Sequence, residues 1–261
     1  MKSSFKNDLS LRWEKSGVKN GDTILLHLDA SRLLREFKSK KVKIDLGVII
    51  DSFLDLLGMN GTLIMPCFNF DFANGLLFDI NKTKSKMGIL TEYFRNNYDI
   101  IRTGHPIYSF SVFGFYKYKF KNINNYSGYG EDSPFGILRK LCGKIAVLDL
   151  DDQHSMTFYH HIEEVNKVEW RYHKVFEGHY IDIKNEKSIK KYSLFVRRID
   201  KGIQTNVNPA GQLMWKEGLY IGDLPKIGSG LRTINAQDMF NFITNIIKKN
   251  TAKNILYRVN L

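Results

Sequence analysis

The sequence predicts an α/β fold in which a central, mainly parallel sheet is flanked by helices in three layers, with an antiparallel hairpin inserted in the C-terminal half. Three observations carry this expectation. Short apolar runs of strand length at Thr23–Leu28, Thr62–Pro66 and 144–150 (KIAVLDL) alternate with stretches whose apolar residues recur at helical spacing, the βα alternation of a helix-covered parallel sheet. Beyond Val175 the period switches to two, on either side of a charged turn. No internal repeat, low-complexity tract or long polar linker divides the chain, so residues 1–261 read as a single domain with an insertion at about 175–224.

Taken in order, Gly21-Asp22 turns the chain into the first strand, and a helix over 44–57 follows a loop. That loop holds Lys38, Lys40, Lys41 and Lys43, a run that reads as solvated rather than as a binding patch. Asn60-Gly61 opens the second strand, a helix follows at 88–97, and 108–114 (YSFSVFG) is a further strand. Ser133-Pro134 caps a helix reaching about Leu141, since serine accepts from free N–H groups and proline suits the first turn. After the buried strand at 144–150 comes a helix over 157–167. The hairpin pairs 180–183 with 192–198 around a turn at 184–191. Ala236–Lys248 closes the chain as a helix whose stripe of Met239, Phe240, Phe242, Ile243, Ile246 and Ile247 packs most simply on the sheet.

With 43% hydrophobic residues among 261, the chain is long enough for a sizeable core, which excludes disordered and fibrous classes. Lys+Arg 39 against Asp+Glu 27 gives a net charge of +12, a field that draws in anions such as nucleotides or CoA and disfavours polycations. Cys67 and Cys142 are too few for a disulfide framework and match no zinc spacing, as expected of a reducing compartment. No stretch has the eighteen or so apolar residues of a spanning helix, and the first dozen residues lack a signal-peptide core; a cytoplasmic protein without a membrane span is expected. The apolar stripes of the second half suit either a core or a small homo-oligomer.

The densest chemistry lies at Met156-Thr157-Phe158-Tyr159-His160-His161-Ile162-Glu163-Glu164, directly after the buried strand. Thr157, His160 and Glu163 are spaced by three and share one helix face, with His161 about a quarter turn away. An imidazole beside a carboxylate has the parts of a general base. The plain alternative makes Thr157 a cap and His160 a hydrogen-bonded core histidine. A metal reading would draw on Asp149, Asp151, Asp152 and His154, but adjacent His160 and His161 cannot both face one ion from a regular helix, and no metal is expected. Arg102-Thr103-Gly104-His105-Pro106, with Ser109, reads as a cradle for a phosphate or an amide, or as an ordinary turn. His27 and Asp29 end the first strand, facing a ligand crevice or serving as a buried histidine and a helix cap. Gly228-Ser229-Gly230 is an incomplete nucleotide fingerprint, and neither a P-loop nor a G-x-S-x-G elbow occurs. Tyr116-Lys117-Tyr118-Lys119-Phe120 has the composition of a nucleic-acid stacking surface or of an edge strand guarded by lysines.

Read in series, the segments at 21–27, 61–66 and 102–106, Ser109, Gly114, and the segments at 130–136 and 157–163 resemble the aminoglycoside 3-N-acetyltransferases and their antibiotic N-acetyltransferase-like relatives, which use acyl-CoA. The likeness runs from about residue 18 to 170, is dim between 175 and 224, and returns weakly at 227–232. It implies an α/β N-acyltransferase with His160 as active-site histidine, Glu163 completing His-x-x-Glu, and Thr157 one turn before. It also implies that Arg102, Thr103, His105 and Ser109, together with His27 and Asp29, lie near the acyl-CoA. Thr103 stands where the family usually has serine, and His27-Leu28-Asp29 where it commonly has His-Ser-Ser. The implied reaction is direct attack of an amine on the thioester, with Glu163, Asp182 or Glu217 orienting the histidine. Net charge favours a nucleotide-linked amino sugar acceptor, as in surface polysaccharide synthesis, over an aminoglycoside and antibiotic resistance. A non-catalytic nucleic-acid-binding protein is a more distant alternative; the expected partners are the CoA thioester and an amino sugar, with no nucleic acid.

Overall fold

The computed structural model describes residues 2–41 and 45–260. Helix α1 (Lys2–Lys15) has no counterpart in the sequence reading: from Ser4 onward its buried residues are Phe5, Leu9 and Trp13, at i, i+4 and i+8, too narrow a stripe to read in a lysine-rich segment. Strand β1 (Thr23–Leu28) follows as expected. The expected lysine loop is in fact helix α2 (Ser31–Ser39), because Leu33 and Phe37 anchor one face while Lys40 pairs outward with Glu36 at 2.7 Å. Lys43 lies outside the described residues, as does Ile44 of the next helix, α3 (Leu46–Leu57), whose N-cap Asp45 accepts from the Gly47 amide.

Strands β2 (Thr62–Pro66) and β3 (Phe78–Asp79), helix α4 (Ile89–Asn97), and strands β4 (Ile101–Arg102) and β5 (Phe110–Gly114) come next. Lys117–Phe120 is a 3-10 turn rather than an edge strand, because the fully buried Phe120 ring draws the segment inward. Helix α5 (Pro134–Lys140) starts at its Ser133 cap and leads into β6 (Lys144–Leu148). Helices α6 (Asp152–Ser155) and α7 (Phe158–Val165) then precede the hairpin of β7 (Arg171–Ile181) and β8 (Lys187–Arg197). The hairpin is longer and its turn tighter than expected: Asp182 accepts from the amides of Lys184 and Glu186, so Lys187, Lys190 and Lys191 lie on β8 rather than in the turn. The chain ends with β9 (Ile203–Thr205), α8 (Asn208–Lys216), β10 (Ile221–Gly222), β11 (Leu231–Asn235), α9 (Ala236–Lys248) and β12 (Tyr257–Val259).

The main sheet has the order β10-β11-β6-β1-β2-β5-β4. Strand β1 is parallel to both neighbours, with Leu25 opposite Ile64 on one side and Ile145 on the other. Strands β5 and β11 run against their neighbours while β4 and β10 reverse again, so five of the seven strands share one direction. Alternation along β1 builds the three layers: Ile24 and Leu26 face a core beneath α1 to α4, and Leu25 faces the core on the opposite side. On that second side α9 packs on α5, α7 and α8 as well as on β11. A separate antiparallel layer is formed by β7 and β8, with β3 alongside β7. Among the described residues no helix is long and apolar enough to cross a membrane.

Three fully or nearly fully buried histidines make this fold sensitive to acid. Burial, aided by the Arg232 charge, lowers His27 to about 4, and burial lowers His105 to about 3 and His161 to about 4. Unfolded histidines titrate near 6.5, so below that pH the unfolded chain takes up protons that the folded chain refuses. Each ring then costs up to about 1.4 kcal/mol per pH unit until its folded value is reached. Thermal denaturation should show Tm constant above pH 7 and falling steeply between pH 6.5 and 4; a flat Tm over that range would contradict these burials.

Candidate active site

The topology brings four segments to one end of the sheet. Strands β1, β2 and β6 are parallel and end at Leu28, Pro66 and Leu148, and the antiparallel β5 starts beside the end of β2, with Phe110 opposite Pro66. The crevice at the carboxyl ends of parallel strands is where such sheets hold ligands.

Helix α7 presents the reactive pair at this end. His160 and Glu163, one turn apart, are joined by His160 Nδ1 and Glu163 Oε2 at 2.8 Å. Glu163 is only 1% exposed. Its Oε1 accepts from Trp170 Nε1 at 2.8 Å, and Arg171 Nε lies 2.6 Å from Oε2. Arg171 is itself fixed, donating through Nη1 to the Phe195 carbonyl and through Nη2 to Thr205 Oγ1. Although burial alone would raise it, the Glu163 carboxyl is held at about 2 by the Arg171 charge and the His160 bond. His160 is shifted below its ordinary value, chiefly by burial and then by Arg171, with Glu163 pulling the other way. The ring is therefore neutral at neutral pH. An ionised carboxylate can only accept, so Nδ1 carries the hydrogen and Nε2 keeps its lone pair.

Among the described residues Nε2 has no hydrogen-bond partner, and the His160 side chain remains 21% exposed beside a cavity of about 620 Å³. The Tyr129 ring meets the imidazole edge-on at 5.2 Å and forms part of the cavity wall with Tyr108. His161 points away, its Nδ1 2.7 Å from the Tyr129 carbonyl oxygen in the core. Thr157 sits at the α7 N-cap, half-buried, and its hydroxyl makes no capping bond. Asp182 lies in the hairpin turn and Glu217 at the end of α8; the carboxylate on His160 is that of Glu163.

A second cavity, of about 420 Å³, opens over the ends of β1 and β2, lined by His27, Asp29, Ser31, Lys86, Gly88 and His154 among others. The first turns of α2 and α4 border it, so backbone N–H groups and helix dipoles favour anions there. His27 Nε2 is buried without a partner, and Asp29 accepts from the Ser31 amide at 2.8 Å, starting α2. Rings connect the two cavities: His27 to Phe68, Phe68 to Tyr108, Tyr108 to Tyr129, and Tyr129 to His160.

The polar side chains of the 102–109 segment are bound to backbone groups of the segment and its neighbours. Thr103 Oγ1 accepts from the Phe110 amide, His105 Nδ1 from the Tyr108 amide, and Ser109 Oγ donates to the Cys67 carbonyl. Arg102 donates to the carbonyls of Ile80 and Thr83 and lines a separate cavity with Tyr180 and Lys190. From this segment it is Tyr108 that reaches the His160 cavity. The acidic run after β6 is likewise engaged: Asp149 pairs with Arg32, Asp152 with Arg232, Tyr159 and Tyr220, and Asp151 caps α6. Among the described residues no three His, Cys, Asp or Glu side chains converge as a metal site would require.

Sequence reasoning missed Trp170 and Arg171. A tryptophan and an arginine following an acidic helix within one turn and a strand start were the available signal.

The sequence profile described as aminoglycoside 3-N-acetyltransferase matches residues 34–248. The SPbeta prophage-derived aminoglycoside N(3')-acetyltransferase-like protein YokD of Bacillus subtilis (strain 168) is 26% identical over 168 residues, which span 55% of this chain and 59% of YokD. In three dimensions the chain is similar to aminoglycoside acetyltransferase AAC(3)-Xa, with TM-score 0.78 and 18% identity over 94% of this chain and 92% of the other. AAC-IIIb in its binary complex with CoASH gives TM-score 0.79 and 18% identity over 94% and 96%. The YokD crystal structure gives 0.75 and 21% over 94% and 99%. By a profile match over most of its length, this chain belongs to the aminoglycoside 3-N-acetyltransferase family.

Proposed function

We propose that this protein transfers an acetyl group from acetyl-CoA to the amine of an amino sugar, with His160 as general base. The observation that carries the reading is the neutral imidazole, locked in one tautomer by a buried ionised carboxylate, whose free Nε2 faces an open cavity. The amine nitrogen attacks the thioester carbonyl and forms the new N–C bond while Nε2 takes its proton. The C–S bond then breaks, and the CoA thiolate leaves with that proton as free thiol, so no covalent enzyme intermediate arises. Glu163 steadies the imidazolium and Arg171 keeps Glu163 ionised, which makes Arg171 a positioning residue. Thr157, on the same helix face, is the side-chain hydroxyl assigned to the developing oxyanion.

CoA is assigned to the groove of His27, Asp29 and Ser31, where two helix N-termini and Lys86 suit its phosphates. Of the 102–109 segment, Ser109 donates to the Cys67 carbonyl, next to the groove residue Pro66. The family and the names of the relatives support an amino sugar as the acceptor, with the aminoglycoside type as the precedent among them.

Release of free thiol from acetyl-CoA, followed with kanamycin and with glucosamine as acceptors, tests the proposal. Acceptor-dependent release with an N-acetylated product by mass is the expected result; absence of acceptor-dependent release with every amine tried would overturn it.

A further inference from the structure

The cavity in front of His160 has a charge pattern that the transfer chemistry does not use. Arg171 is balanced by Glu163, yet the walls add Lys174, Arg197 and Arg198 against a single carboxylate, Asp200. Among the described residues none of these three cations sits in an ion pair; the hairpin's own pair is Lys191 with Glu177, further along. Two of them are held by aromatic rings. The Arg198 guanidinium lies over Tyr172 at 5.2 Å with its Nε donating to the Glu169 carbonyl, and Lys174 lies over the Phe176 ring at 5.3 Å. Pairing of β7 with β8 sets Arg197 opposite Arg171, and the Arg197 charge contributes to lowering His160.

A polycationic acceptor would enter this cavity against three like charges, whereas a phosphate would meet arginines able to bind it through two N–H groups at once. Tyr172 and Tyr108 add flat apolar surface for a sugar or a base. The phosphates of CoA have the other groove, over the ends of β1 and β2.

We propose that Lys174, Arg197 and Arg198 form an anion-recognising subsite for the acceptor, so that the amine acetylated by this chain belongs to an amino sugar carrying a phosphate ester. The proposal rests on the acetyl-transfer reading above for which cavity receives the acceptor. Its chemistry is shared by sugar phosphates and nucleotide-linked sugars, and the test separates the two.

Calorimetric titration of glucosamine, glucosamine 6-phosphate and UDP-linked glucosamine into CoASH-saturated protein keeps the CoA groove filled while the acceptor cavity is probed. The phosphorylated sugars should bind at least about tenfold more tightly than glucosamine, and the K174Q/R197Q variant should lose about that factor. The tighter of the two identifies the phosphate carrier. In parallel thiol-release assays the phosphorylated acceptors should surpass both glucosamine and kanamycin in kcat/KM. The variant's defect should lie in acceptor KM and leave KM for acetyl-CoA unchanged. Equal affinity for glucosamine and its phosphate, a variant that binds as wild type, or a defect confined to KM for acetyl-CoA would each overturn the proposal. Selective binding without thiol release would reject acetyl transfer and retain the subsite; thiol release without selectivity would do the reverse.

Discussion

Exchange of His160 for asparagine should lower kcat for acetyl transfer by about 10²- to 10⁴-fold, the usual worth of a positioned general base, while KM for acetyl-CoA and for the acceptor stays close to wild type. Asparagine is of similar size and can donate its amide N–H to Glu163, so the Trp170 hydrogen bond to that carboxylate and its ion pair with Arg171 survive. What is lost is the only group of the array that can accept a proton near neutral pH, since Glu163 is held at about 2 and remains ionised throughout. Initial rates of thiol release for the two proteins, with matched Tm values, check this. A loss of less than threefold would remove His160 from the chemistry, because among the described residues no other imidazole lines this cavity.

The second large effect concerns Arg171. Replacement by methionine strips the counter-charge from a carboxylate that is 1% exposed, and breaking one side of a buried pair costs about 3–5 kcal/mol. For a chain of this size that is a fall in Tm on the order of 10 °C. The catalytic consequence has a definite sign. Without Arg171, burial pushes Glu163 upward against only the His160 and Trp170 bonds, and His160 loses one of the three influences that lower it, burial and the Arg197 charge remaining. Both groups then hold protons to higher pH, so the acid side of the activity profile should move up in pH. Arg171→Lys should recover much of the pH profile through its charge, but less of the stability, because lysine cannot donate at once to the Phe195 carbonyl and Thr205. Thermal denaturation and pH–rate profiles of the two variants distinguish this positioning role from a merely structural one, which would lower Tm and leave the profile in place.

The legible parts of the molecule are those where a local pattern and the tertiary outcome coincide. Strands β1, β2 and β6 are short apolar runs because both of their faces are covered, and α9 carries its wide stripe because it packs on three helices and β11. Helices α1 and α2 escaped because each shows the core only two or three large side chains, Phe5, Leu9 and Trp13 or Leu33 and Phe37, among polar neighbours. The hairpin was read too short because Lys187, Lys190 and Lys191, residues typical of a turn, here lie on a solvent-facing strand. In the site, His160 and Glu163 are one helical turn apart, so spacing alone joins them. Arg171 follows a turn and belongs to another layer, and no periodicity announces that a strand's first side chain will fold back onto a carboxylate eight residues earlier. Lys174, Arg197 and Arg198 border one cavity through the pairing of β7 with β8, which a single sequence leaves open. The 102–109 segment shows the opposite case: its polar residues are conspicuous as a cradle, and that polarity is taken up by backbone groups of the protein, the Ile80, Thr83 and Cys67 carbonyls and the Tyr108 and Phe110 amides.

The base assignment is tested most directly by the pH dependence of kcat/KM for acetyl transfer with two acceptors whose amine pKa values differ, in wild type and in His160→Asn. Ionisations of the acceptor move with the acceptor, and an ionisation of the enzyme does not. An acid limb below pH 6.5, common to both acceptors and missing from the residual activity of the variant, is the result predicted by a half-buried, neutral His160 lining the substrate cavity. A profile in which every ionisation follows the acceptor, or a common limb that persists in His160→Asn, would contradict it.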